Sequence, residues 1–66
     1  MMRSRIGYWI EHRGYKKKYV AEKIGVSQTV LSRWINNVSM PSVKKLFELA
    51  ELLDCKVDDL YEKDSD

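Results

Sequence analysis

The sequence predicts an all-α fold, a compact bundle of five short helices. Three observations carry that prediction. Apolar residues recur at i, i+3, i+4 and i+7 within segments of roughly eight to eleven residues, the mark of a helix that buries one face. Glycine, asparagine or proline stands where these segments would have to stop. At 66 residues with a single cysteine, the chain has no intrachain disulfide framework, so one small core must be packed from those faces. The expected unit is one domain over residues 1–66, ordered from about residue 3 to about residue 62, without internal repeats or low-complexity linkers.

Each element follows from local signals. The first helix is expected from about Arg3 to Arg13, with Ile6, Trp9, Ile10 and Arg13 at helical spacing and Gly14 ending it. Tyr15 is expected to insert between helices. The second helix covers about Lys17 to Ile24 and buries Val20, Ala21 and Ile24, Ala21 being small where another helix would cross closely. Gly25 and Val26 form a turn, Ser27 is a good N-cap, and the third helix follows from Gln28 to about Ile35. Asn36 and Asn37 suit a left-handed exit. Val38 to Pro41 reads as a loop. Pro41 stops any continuation, and Ser42 caps a fourth helix from about Val43 to Leu53. Its inward set is Val43, Leu46, Phe47, Leu49, Ala50 and Leu53. A last helix from about Val57 to Glu62 offers Val57, Leu60 and Tyr61 inward, and the final Lys-Asp-Ser-Asp is expected to fray.

The third helix is the segment richest in chemistry. At about 100° per residue, Gln28, Ser32, Asn36, Thr29 and Arg33 share one arc, and Val30, Trp34, Leu31 and Ile35 share the other. The polar arc holds amides, hydroxyls and a guanidinium but no carboxylate. Such groups hydrogen-bond base edges and phosphates, whereas a helix built only to face water more often carries Glu–Lys pairs. Trp34 reads as a core residue.

Charge divides along the chain. Residues 1–45 carry ten basic and two acidic side chains, +8; residues 46–66 carry two basic and eight acidic ones, −6, within a net charge of +2. A basic half that contains the polar arc suits a polyanion. Other classes are disfavoured. One histidine, His12, and one cysteine, Cys55, cannot assemble a Cys/His metal cluster. No nucleophile–base pair or phosphate-cradling loop is present, so no enzyme, metal or cofactor is expected. No apolar run approaches the roughly 20 residues that span a bilayer, and Met-Met-Arg-Ser-Arg is no signal peptide. The expected location is cytoplasmic. Cys55 reads as packing rather than as a redox sensor.

Two helices of about eight residues joined by a short glycine-containing turn have the geometry of a helix-turn-helix. Here the segment from Ala21 to Trp34, then Pro41-Ser42, then Leu46-Phe47-Glu48-Leu49-Ala50, resembles the Cro/CI type of lambda-repressor-like domain, the XRE family. The likeness covers roughly Ile6 to Tyr61. It implies a five-helix domain of bacterial or phage origin that binds operator DNA, commonly as a two-fold dimer, and regulates transcription. By this resemblance the third helix enters the major groove, with Gln28, Thr29, Arg33 and Ser32 toward bases. A glutamine amide can pair with adenine N6 and N7, and Arg33 with guanine O6 and N7. Val30, at the arc's edge, is a candidate for a thymine methyl or for closing the core. Lys17, at the start of the second helix, and Asn36, Asn37, Ser42 and Lys44, beyond the third, fall where the family touches the DNA backbone.

Two departures from the family pattern stand out. Lys16 replaces the usual Ser or Thr cap of the second helix. Ile10 and Ile35 stand where the family often has an Arg–Glu pair between the first and third helices. A matched replacement of a partly buried ion pair by apolar volume can be neutral or stabilising, so Ile10 and Ile35 are expected to touch.

The expected function is therefore a sequence-specific double-stranded-DNA-binding transcriptional regulator, a small phage- or mobile-element-type repressor. The alternative is a protein-interaction module, antitoxin-like or anti-repressor-like, that reuses the fold with little DNA affinity. Homodimerisation on DNA is expected through the Val38–Met40 loop with Val57, Leu60 and Tyr61, unless Val57 and Leu60 only close the monomer's own core. An anti-repressor or other protein partner is a further expectation.

Overall fold

The computed structural model describes residues 2–63. Their order is β1 (Met2–Ser4), α1 (Ile6–Arg13), α2 (Lys17–Ile24), α3 (Gln28–Ile35), α4 (Val43–Leu53), α5 (Val57–Leu60) and β2 (Tyr61–Lys63). The five helices match the expected bundle. The strands do not: Arg3 and Ser4, like Tyr61 and Glu62, are expected in helices, and Lys63 in a frayed end. The first helix starts at Ile6 rather than Arg3, since Met2–Ser4 pairs antiparallel with Tyr61–Lys63 in the register Met2↔Lys63, Arg3↔Glu62 and Ser4↔Tyr61. The Arg5 N–H continues the ladder onto the Leu60 carbonyl at 2.8 Å. For the same reason the last helix stops at Leu60 instead of Glu62, and Lys63 is part of a strand. The fraying expected beyond it, at residues 64–66, lies outside the described residues.

Twelve residues form the buried core: Ile6, Ile10, Val20, Ala21, Ile24, Leu31, Trp34, Leu49, Ala50, Leu53, Leu60 and Tyr61. The first four helices contribute at helical spacing, as the periodicity predicts, and α5 contributes Leu60. Leu46, Val57, Cys55 and Ile35 pack against it half-buried. Three expected core members lie outside. Val43 and Phe47 are 71% and 60% exposed. The inward face of α4 runs through Leu46, Leu49, Ala50 and Leu53; Val43 lies a turn beyond that core, and Phe47 falls about 100° round the helix from Leu46. Tyr15 is exposed as well, its ring resting on Tyr19 with centroids 5.2 Å apart rather than between helices.

Helix ends follow their local chemistry. Gly14 and Gly25 take left-handed φ values of 73° and 84° to terminate α1 and α2, a conformation that costs other residues steric energy. Ser27 and Ser42 accept hydrogen bonds from the Val30 and Lys45 N–H groups at 3.1 and 3.3 Å. Lys16 gives α2 no side-chain cap, as its replacement of Ser or Thr implies. The left-handed exit after α3 falls on Asn37, at φ 64°, while Asn36 stays at −88°.

Distant cations cover the carbonyls at two helix ends. Arg13 donates from Nε to the Leu53 carbonyl at 2.7 Å and from its guanidinium to the Asp54 carbonyl at 2.9 Å, covering the C-terminus of α4. Lys45 donates from Nζ to the Ile24 carbonyl at 2.6 Å and pairs with Glu48 at 3.4 Å, covering the end of α2. Positive charge at these carbonyl ends also opposes the helix dipole. Trp9 ties α1 to α5 through its indole N–H, which donates to the Asp59 carbonyl at 2.9 Å.

Candidate nucleic-acid interface

Packing of α3 by Leu31 and Trp34 fixes which of its faces is left outside. Both are buried, at 0% and 6% exposure, so the opposite arc faces out. Gln28, Thr29, Arg33 and Asn36 are exposed on it, and Ser32 is half-buried. The expected base-facing residues therefore share one surface of one helix. Val30 is half-buried and packs against the core, which serves the closing role while leaving its edge beside Arg33.

The flanking residues are exposed too. Lys17 stands at the first position of α2, Asn36 and Asn37 at the exit of α3, and Ser42 and Lys44 at the start of α4. Two of them already have internal work. Asn37 donates its side-chain amide to the Met2 carbonyl at 3.0 Å, which joins the end of α3 to β1, and Ser42 caps α4. By contrast, Gln28, Thr29, Ser32, Arg33, Asn36, Lys17 and Lys44 make no side-chain hydrogen bond or ion pair among the described residues. Uncommitted donors and acceptors on a rigid helix are what recognition of base edges and phosphates requires.

The structure also redistributes the basic half. Arg13 and Lys45 are held by helix carbonyls, Arg3 pairs with Glu62 at 3.5 Å, and Arg5 lies 4.2 Å over the Tyr8 ring. Among the described residues, the cations of this half without such engagement are Lys16, Lys17 and Lys18 at α2, Arg33 on α3 and Lys44 on α4. These contacts leave the charge in place but fix the side chains that carry it, and the cations free to reach a phosphate are concentrated around α2 and α3. The charge count alone does not separate Arg13 and Lys45 from those free cations. Their carbonyl partners lie 40 and 21 residues away, and no local signal names them.

Comparison with known proteins agrees with this geometry. The helix-turn-helix family matches residues 6–60. The chain is similar to a candidate DNA-binding protein from Bacteroides fragilis, known from a crystal structure, with 34% identity and a TM-score of 0.88 over 94% of this chain and all of that one. It is also similar to the N-terminal DNA-binding domain of SinR from Bacillus subtilis, with 33% identity and a TM-score of 0.71 over 80% of this chain and 78% of that one. No curated protein sequence matches it. Among the described residues, no helix is long and apolar enough to cross a membrane. With α2 and α3 arranged as found and the family match spanning nearly the whole chain, this protein belongs to the helix-turn-helix family of XRE type.

Proposed function

We propose that this protein is a sequence-specific regulator of transcription, a small cytoplasmic repressor of the kind carried by phages and mobile elements, which inserts α3 into the major groove of double-stranded DNA. The observation that carries the reading is the outward arc of Gln28, Thr29, Ser32 and Arg33, free of carboxylates and, among the described residues, of internal partners. Gln28 and Arg33 have the donor and acceptor patterns for adenine and guanine, and each good bidentate pair discriminates by about 1–3 kcal/mol. Val30 offers a methyl edge to thymine. Lys17, Asn36, Lys44, Ser42 and the remaining amide hydrogen of Asn37 hold the phosphates on either side. The SinR domain, described as DNA-binding, supports the same use of the fold.

Binding is read as dimeric, on two half-sites one helical turn apart. Burial revises the surface involved. Leu60 and Tyr61 are 0% and 7% exposed and belong to the core, while Val38, Met40, Val43 and Phe47 are all more than half exposed. That apolar surface around the α3–α4 loop is the one offered to a second copy.

Selection from random duplexes, followed by fluorescence titration across salt concentrations, tests the proposal. A two-fold site should emerge, log affinity should fall steeply with log salt, and Lys17→Ala should reduce that slope by about 0.9. Arg33→Ala should relax base preference at one position per half-site. Negligible binding to every duplex would reject the proposal and leave the protein-interaction reading.

A further inference from the structure

Gly7 stands in the second position of α1 without a backbone reason to be glycine. The two glycines with positive φ are Gly14 and Gly25; Gly7 is not among them. Its conformation is open to any L-residue, and glycine is one of the poorest helix formers. What it provides is closeness. A Cβ built there would lie 2.9 Å from Cγ2 of Ile35, and the next nearest side-chain atoms also belong to Ile35, Cβ and Cγ1 at 4.0 Å. Cγ2 is bonded directly to a branched Cβ whose rotamer in a helix is nearly fixed. It cannot swing aside, so a methyl group at position 7 has to move the helix.

We infer that Gly7 is a positioning residue for DNA reading: it sets the seat of α3 against α1 and thereby the roll of the base-facing arc. This inference rests on the proposed DNA-binding function. Ile35 is the last residue of α3. Seven residues of helix advance it to within about 20° of Gln28, so it borders the row formed by Gln28 and Ser32. The two ends of α3 are held independently, the first by the turn from α2, where the Val26 N–H donates to the Ala21 carbonyl at 3.0 Å, the second by Ile35 on Gly7 and by the Asn37–Met2 hydrogen bond. Lifting the Ile35 edge off α1 rolls α3 about its long axis. Gln28 and Ser32 then change their approach to the base edges, while Lys17, on α2, keeps its place. The site at which the family often has an interhelical ion pair is here a glycine-backed isoleucine, so the seat of α3 is steric and short-range. Ile35 meets α1 at Gly7, one turn ahead of the buried Ile10.

The test compares Gly7→Ala with the wild type on two duplexes, the site selected by the wild type and a scrambled one. The expected result is a fall of about tenfold or more in the ratio of specific to non-specific affinity, the loss of one good base contact. Non-specific affinity and its salt slope should stay unchanged. Loss of folded protein alone would lower both affinities together and leave the ratio intact. The double variant Gly7→Ala/Ile35→Ala keeps the 4.0 Å approach of Cβ to Cβ without the methyl conflict and should regain much of the ratio. An unchanged ratio in Gly7→Ala, or no recovery in the double variant, overturns the inference. Should Gly7→Ala fail to fold, Ile35→Ala alone is read in the same way: a reduced ratio supports the role and an unaltered one removes it. A wild type that prefers no duplex over another defeats the functional proposal itself, an outcome separate from all of these.

Discussion

At the scale of single residues, Arg13 does the work of three groups. Its guanidinium satisfies the Leu53 and Asp54 carbonyls at the end of α4, and it lies 5.1 Å over the Trp9 ring. Hydrogen bonds from a charged donor to otherwise orphaned helix carbonyls are worth more than neutral ones. Arg13→Gln is expected to lower unfolding free energy by about 1–2 kcal/mol, measurable by urea denaturation, with little change in DNA affinity because Arg13 is not on the reading surface. Caps made within a few residues were legible in the sequence: Gly14, Gly25, Ser27 and Ser42 each act where their chemistry placed them. The left-handed Asp54, at φ 53°, was not marked, since aspartate is a less specific signal there than glycine. Tyr61 is another residue whose setting only the fold creates. Burial pushes its pKa above the usual 10.0, more than the neighbouring Ser4 hydroxyl pulls it down. Its hydroxyl oxygen sits buried without a well-aligned partner.

Among elements, α3 shows how a helix can be stable on one side and available on the other. Its eight residues are too few to hold a helix in isolation. Two buried side chains, the Ser27 cap and the Ile35 seat keep it in place while the polar arc stays unengaged. Ser27→Ala is expected to destabilise the domain by about 1 kcal/mol and to speed hydrogen exchange first at Val30, whose N–H it bonds. The boundaries of α2, α3 and α4 were readable because in each the apolar period agrees with a capping signal at one end at least: Gly25 after α2, Ser27 before α3 and Ser42 before α4. Those of β1 and β2 were not. A three-residue strand has no period to detect, and Met2–Ser4 becomes a strand only because Tyr61–Lys63 lies alongside. Misassigning Val43 and Phe47 has a different cause. The period identifies a stripe on α4 but not how far the neighbouring helices extend to cover it, and here they leave the first turn and one flank bare.

For the whole molecule, the candidate site was legible in the residues of α3 and α2 because recognition chemistry is written locally, on a surface not required for packing. What stayed hidden was everything that depends on contacts far along the chain: Lys45 on α2, Asn37 on β1 and the strand pair itself. That strand pair makes the described chain nearly a ring. Met2 faces Lys63, so its first and last described residues are neighbours, and the gap between them is one sheet spacing. A covalent closure at this point would remove freedom from the unfolded chain while asking little of the folded one. Met2→Cys/Lys63→Cys, in a Cys55→Ala background, should form a disulfide that stabilises the protein by up to about 4 kcal/mol in the chain-entropy account. The gain should vanish on reduction in thermal unfolding. The same adjacency makes the chain a candidate for circular permutation: new ends could be opened in the exposed Val38–Met40 loop without separating α2 from α3.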